Sequence, residues 1–121
     1  MSTRPDWVTS FPGAVTVSDL NHRIVYMNDR SATTYEPDGG RALIGRELMA
    51  CHNERSKGII DGLLRSGGQN VYTIEKAGQK KLIFQSAWRD EKGDVAGLVE
   101  LSLVLPPDMP HYVRSAPPAK S

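Results

Sequence analysis

Apolar and polar positions alternate with a period of two over five stretches of the chain and fall at helical spacing over one. Ala14-Val15-Thr16-Val17-Ser18 alternates and runs into the polar Asp19-Leu20-Asn21-His22. Arg23-Ile24-Val25-Tyr26-Met27 follows, so the pair predicts a β-hairpin with a four-residue connection. Asn70 to Glu75 alternates again and stops at Lys76-Ala77-Gly78-Gln79, a turn signal. Lys81 to Trp88 places Leu82, Phe84 and Trp88 on one face and Ile83, Gln85 and Ala87 on the other. After the polar Arg89 to Asp94, a last strand puts Val95, Gly97, Val99, Leu101, Leu103 and Leu105 on a single face. The last three strands, joined by short turns, read as an antiparallel meander.

Helical patterns lie between the second and third strands. Asn28 and Asp29 are good N-cap residues ahead of a short helix, Arg30 to Tyr35, which Pro37-Asp38-Gly39-Gly40 stops. Leu43 to Leu48 predicts one more turn or short helix. Glu54 to Arg65 is the main helix, with Ile59, Ile60, Leu63 and Leu64 on one stripe and Gly67-Gly68 at its end. Pro106, Pro107, Pro110, Pro117 and Pro118 cannot sit in a helix or central strand, so residues 106–121 read as a tail. His111 and Tyr112 are the residues that could anchor that tail. Residues 1–10 are a leading segment, and residues 11–105 form the one domain.

Length and charge narrow the function classes. A chain of 121 residues has room for one hydrophobic core. Fifteen basic against fourteen acidic residues give a net charge of +1, without the clustered basic excess of a nucleic-acid or anionic-membrane binder. No apolar run approaches the ~20 residues of a membrane-spanning helix. Met1 to Asp6 is polar, unlike a signal peptide. Cys51 is the one cysteine, which excludes an internal disulfide framework and a multi-cysteine zinc site. The expectation is a reduced, cytoplasmic protein with no nucleic-acid or membrane partner and no metal site.

Chemistry-bearing candidates are sparse. Cys51 and His52 are adjacent, and imidazole or thiolate suits iron. As a nucleophile pair they lack attack geometry and an orienting third group, so the expectation is that the chain is not an enzyme. The bland reading makes Cys51 a small buried apolar residue and His52 a helix-entry residue. Arg46, Arg89 and Glu100 could meet an anionic ligand, although such residues are more often solvated or simply paired. Gly58 and Gly62 allow either close packing of the main helix on the sheet or space for a ligand beneath it.

Several of these segments together resemble a PAS domain, the small sensory module with a five-stranded antiparallel sheet. The opening hairpin ending in Met27-Asn28, the step Leu43-Ile44-Gly45-Arg46, and the turn Trp88-Arg89-Asp90-Glu91-Lys92-Gly93 followed by Gly97, Leu98 and Glu100 carry the resemblance from about Phe11 to Leu105. Cys51-His52-Asn53-Glu54-Arg55-Ser56 is similar to a Cys-His-Pro-x-x-Ser stretch of one bacterial and archaeal branch, with Asn53 in place of the proline. Two features depart from the family. The last strand reads Leu101-Ser102-Leu103-Val104-Leu105 and lacks the Asp-Ile-Thr triplet that relays signals to an output domain. Flavin-linked members place a reactive cysteine third after a glycine, but third after Gly45 is Leu48, so a flavin–cysteinyl adduct is not expected.

The resemblance implies an α+β fold with the helices packed on one face of the sheet. It also implies a sensory or regulatory role: a pocket that binds a small molecule or cofactor and signals in trans to a separate signalling protein or a second copy. The pocket is expected between the main helix and the inner sheet face, with Tyr26, Met49, His52, Ile59, Leu63, Tyr72, Phe84 and Trp88 as its walls. The cofactor is unknown; haem held by His52 is one candidate. A homodimer is expected through the outer sheet face, using Ala96, Leu98 and Val104. Two alternatives stand beside this reading: a haem redox protein or small pocket enzyme using His52 and Cys51, and a ligand-free interaction module.

Overall fold

The alternating segments become a single antiparallel sheet in the computed structural model, which describes residues 4–47 and 54–115. Strands β1 (Ala14–Asp19) and β2 (Ile24–Met27) form the predicted hairpin, while β3 (Gln69–Lys76), β4 (Gln79–Arg89) and β5 (Val95–Leu105) form the meander. The spatial order is β2-β1-β5-β4-β3. The last strand therefore lies at the centre, paired antiparallel to β1 from Ala14↔Ser102 to Asp19↔Gly97. Ala77 and Gly78, both at positive φ, close the β3–β4 hairpin as a two-residue turn whose twist matches that of the strands.

Between β2 and β3 run α1 (Asp29–Thr34), two 3-10 turns (Glu36–Asp38 and Gly40–Leu43) and α2 (Glu54–Ser66). Asn28 caps α1 as its residue type predicts, its side chain accepting from the Ser31 N–H at 2.9 Å. The helix α2 ends where the Gly67 N–H donates to the Leu63 carbonyl at 2.7 Å.

Strand register divides the sheet into two faces. Ala14, Thr16 and Ser18 of β1 lie opposite Ser102, Glu100 and Leu98 of β5, which in turn lie opposite Ile83, Gln85 and Ala87 of β4. This face carries the helices. Leu98 packs with Ile60 and Leu63 of α2, flanked by Leu64, and the Thr16 Oγ1 lies 2.6 Å from the Ser31 Oγ of α1. Each such buried aliphatic side chain contributes roughly 1.5–3 kcal/mol, so this small cluster fixes α2 on the sheet. The opposite face shows Val99, Leu101 and Leu103 beside Val15, Val17, Leu82 and Phe84.

The apolar pattern alone points the other way. It favours the row Val95 to Leu105 as the one under the helices, and the structure turns that row outward. Leu98, expected on an open dimer face, is 2% exposed beneath α2. Val104 shares its side of the strand but lies exposed near the strand end, and Ala96 sits at the bulge where the register shifts between Trp88 and Arg89. These three residues do not form an outer patch. The leading segment is also more than a tail. Asp6 accepts from the Val8 and Thr9 N–H groups, and Asn28 holds the Val8 carbonyl at 2.9 Å. Residues 106–115 carry no helix or strand, and Tyr112 is exposed beneath the Arg114 guanidinium rather than packed on the body.

Candidate functional site

One row of side chains crosses the helix-bearing face in direct register: Asn70 on β3, Gln85 on β4, Glu100 on β5 and Thr16 on β1. Strand pleating places all four on that face because residues directly opposite in neighbouring strands share a side. The Asn70 amide donates from Nδ2 to Gln85 Oε1 at 3.0 Å, and Gln85 donates from Nε2 to Glu100 Oε2 at 2.9 Å. From the opposite side the Tyr35 hydroxyl, just past α1, donates to Glu100 Oε1 at 3.3 Å. Gln85 is buried, and among the described residues no buried side-chain polar atom lacks a partner. Tyr72, on β3 and half in solvent, stands on the same face one row further along, opposite Ile83.

The electrostatics follow from this placement. Burial, reinforced by the Glu100 charge and hydrogen bond, pushes the Tyr35 hydroxyl well above the ordinary phenol range. Burial and then the Glu100 charge push Tyr72 up as well. Both tyrosines therefore remain neutral donors at physiological pH. The ion pairs His22–Asp61, Arg41–Asp29 and Lys57–Glu54 all lie elsewhere. The row offers a fixed set of hydrogen-bonding groups around one carboxylate, which suits recognition.

Of the walls expected from sequence, Leu63 and Tyr72 lie on the helix-bearing side. Ile59 does not: it is 38% exposed on α2, and Ile60 takes the buried position beside it. Tyr26, Phe84 and Trp88 lie on the opposite face, paired with Val17, Leu101 and Gly97. Trp88 spends its indole N–H on the Ser18 carbonyl at 2.9 Å, lying over Gly97. Met49, Cys51 and His52 fall outside the described residues. Arg89 closes its own turn by donating to the Gly93 carbonyl at 2.8 Å. Gly62 faces open space apart from the Arg65 guanidinium, so it marks no close approach to the sheet. Asn70, Gln85, Thr16 and Tyr35 escaped the sequence reading. For the strand residues the signal was a polar side chain on a partly apolar face, as Gln85 is between Ile83 and Ala87.

No known family model matches the chain, and no curated protein matches it. Solved structures do match its fold. The Aer2 receptor of Vibrio cholerae, described as a dual PAS-heme oxygen sensor, aligns with a TM-score of 0.61 at 18% identity, covering 78% of this chain and 95% of that one. The PAS domain of the histidine kinase ThkA aligns at 0.60 and 14% identity, covering 75% and 97%. VqmA of Vibrio cholerae, bound to DPO, aligns at 0.65 and 18% identity over 82% of this chain and 54% of its own, so this chain spans about half of VqmA. The fold is that of a PAS domain, α+β with a five-stranded antiparallel sheet.

His52, the haem ligand considered from the sequence, lies outside the described residues. His22 is engaged with Asp61 at 3.2 Å, and His111 is exposed within residues 106–115. Among the described residues no helix is long and apolar enough to cross a membrane.

Proposed function

We propose that this chain is a sensory module that binds a small molecule on the helix-bearing face of its sheet and passes the bound state to a partner through protein contacts. One observation carries the reading: a hydrogen-bonded row, Asn70–Gln85–Glu100–Tyr35, laid across three strands where a purely structural sheet would bury aliphatic side chains. Buried polar groups of this kind cost stability unless they are matched, and a ligand site is where proteins accept them. The likeness to sensory PAS structures supports the same reading. The row contacts both halves of the fold, α1 through Tyr35 and the meander through Gln85. A ligand that prefers one arrangement of these groups shifts the population of helix positions.

Signalling in trans requires an outward surface. We place it on the face opposite the helices, where Leu82, Phe84, Val99, Leu101 and Leu103 are half-buried, in place of the Ala96, Leu98 and Val104 set expected from sequence. A homodimer through this face is the arrangement we favour, because a symmetric pair buries the same apolar row on both copies. The reading is tested by incubating the full chain with a cell extract of molecules below 1 kDa, desalting it, and recording native mass spectra. Wild type should retain a mass that Gln85→Leu does not. Equal retention by both chains, or none by either, overturns it.

A further inference from the structure

Glu100 is the one carboxylate in the polar row, and among the described residues its two oxygens take donors from Tyr35 at Oε1 and Gln85 at Oε2. A carboxylate has about four acceptor positions, so roughly half of its capacity is unspent. Gln85 turns its carbonyl oxygen to Asn70 and its amide nitrogen to Glu100, so it stands as a donor towards the carboxylate. The ion pairs His22–Asp61, Arg41–Asp29 and Lys57–Glu54 do not involve this charge. Its effect is felt nearby, in the upward shifts of both Tyr35 and Tyr72. A half-buried carboxylate held this way is normally paired, since an uncompensated charge taken from water is costly.

Resting on the ligand-site reading above, we infer that the ligand of this site is a small organic cation, an amine or amidine, whose N–H groups dock on Glu100. Such a group fills the free acceptor positions with charge-assisted hydrogen bonds, which are about twice as strong as neutral ones. The aliphatic side chain of Ile83, in the neighbouring row of the same face, favours an apolar body attached to the charged head. Half-exposed Tyr72 offers a ring beside the approach, where cations are attracted to aromatic faces. An anionic ligand is disfavoured by the same carboxylate.

Three probes of matched size, benzamidine, benzyl alcohol and benzoate, decide the matter when titrated into the isotope-labelled full chain and followed by NMR. Benzamidine should shift the side-chain amides of Gln85 and Asn70, and bind at least tenfold more tightly than the other two. Glu100→Gln keeps the shape and the hydrogen-bonding row, and should abolish that preference while leaving the spectrum of a folded protein. The wild-type comparison stands even if the variant fails to fold. Tighter binding of benzyl alcohol or benzoate at the same amides overturns the cation and leaves the ligand site intact. If no probe shifts these amides, both the cation and the site are overturned.

Discussion

Tyr35 and Glu100 are 65 residues apart in sequence, yet the hydroxyl of one donates to the carboxylate of the other at 3.3 Å. That contact ties the end of the first helix to the central strand. It is also the point where the candidate ligand site meets an element able to move.

Removing the hydroxyl with Tyr35→Phe should cost only about 1 kcal/mol, the typical net value of a hydrogen bond. Its ionisation behaviour is more distinctive. Because the folded-state value lies above the usual phenol value of 10.0, folding stability should be flat below that pH and fall as pH rises past it, where the unfolded chain ionises first. Urea unfolding between pH 8 and 12 should show a steeper alkaline loss in wild type than in Tyr35→Phe.

Asn28 should be the most sensitive polar position. Its side chain accepts from the Val15 and Ser31 N–H groups and donates to the carbonyls of Val8 and Gly13, all at 2.9 Å, with the residue 1% exposed. Asn28→Ala leaves several of these groups unmatched in the interior, at about 1–3 kcal/mol for each that water cannot reach. A loss of about 2–4 kcal/mol is expected from urea midpoints at unchanged slope. A change below 1 kcal/mol would show that water replaces the amide without difficulty.

Gly97→Ala should disrupt the outer face. A Cβ there collides with the Ser18 carbonyl and sits 2.6 Å from Trp88 Nε1, the two partners of the indole hydrogen bond. Overpacking of this kind costs about 1–3 kcal/mol, and more where backbone is the obstacle. Trp88 fluorescence should change together with the lowered midpoint. Trp88→Phe, which deletes only the N–H donor and part of the ring, should be the milder of the two.

Gly62→Ala should raise stability by about 0.5–1 kcal/mol, since the added methyl meets only a flexible guanidinium and the helix loses a high-entropy residue. Thermal unfolding gives the sign directly. A decrease would mean that α2 lies closer to the sheet than described.

Dimerisation and folding separate at two positions of β5. Leu101→Asp, on the outer face, should convert a dimer to a monomer of intact fold in sedimentation. Leu98→Asp, beneath α2 with Ile60 and Leu63, should unfold the chain instead. A wild-type chain that sediments at 13.3 kDa at every concentration would remove the dimer.

The order of elements was legible in the sequence because it rests on local signals. Asn28 announces a helix, Ala77-Gly78 a tight turn, and Val95 to Leu105 alternates over its whole length. The choice of face was not legible, because alternation tells which residues share a side and not which side is covered. The customary rule gives the helices the more apolar row. Here Thr16, Gln85 and Glu100 occupy the covered side and Phe84 and Trp88 the other. A polar row that violates the local rule is expected where binding outweighs packing. Tyr35 was invisible for a different reason: its partner is distant in sequence, and only the fold brings the two together.

The amide of Asn28 binds the Val8 carbonyl at the near end of α1, and Tyr35 binds Glu100 at the far end. Between them lie six residues of helix, a rod of about 9 Å at the usual rise. The leading segment and the centre of the sheet are thus the two ends of one short lever. A tug on the chain ahead of Val8 would load this helix at Asn28, and a displacement of the Glu100 carboxylate would load it at Tyr35.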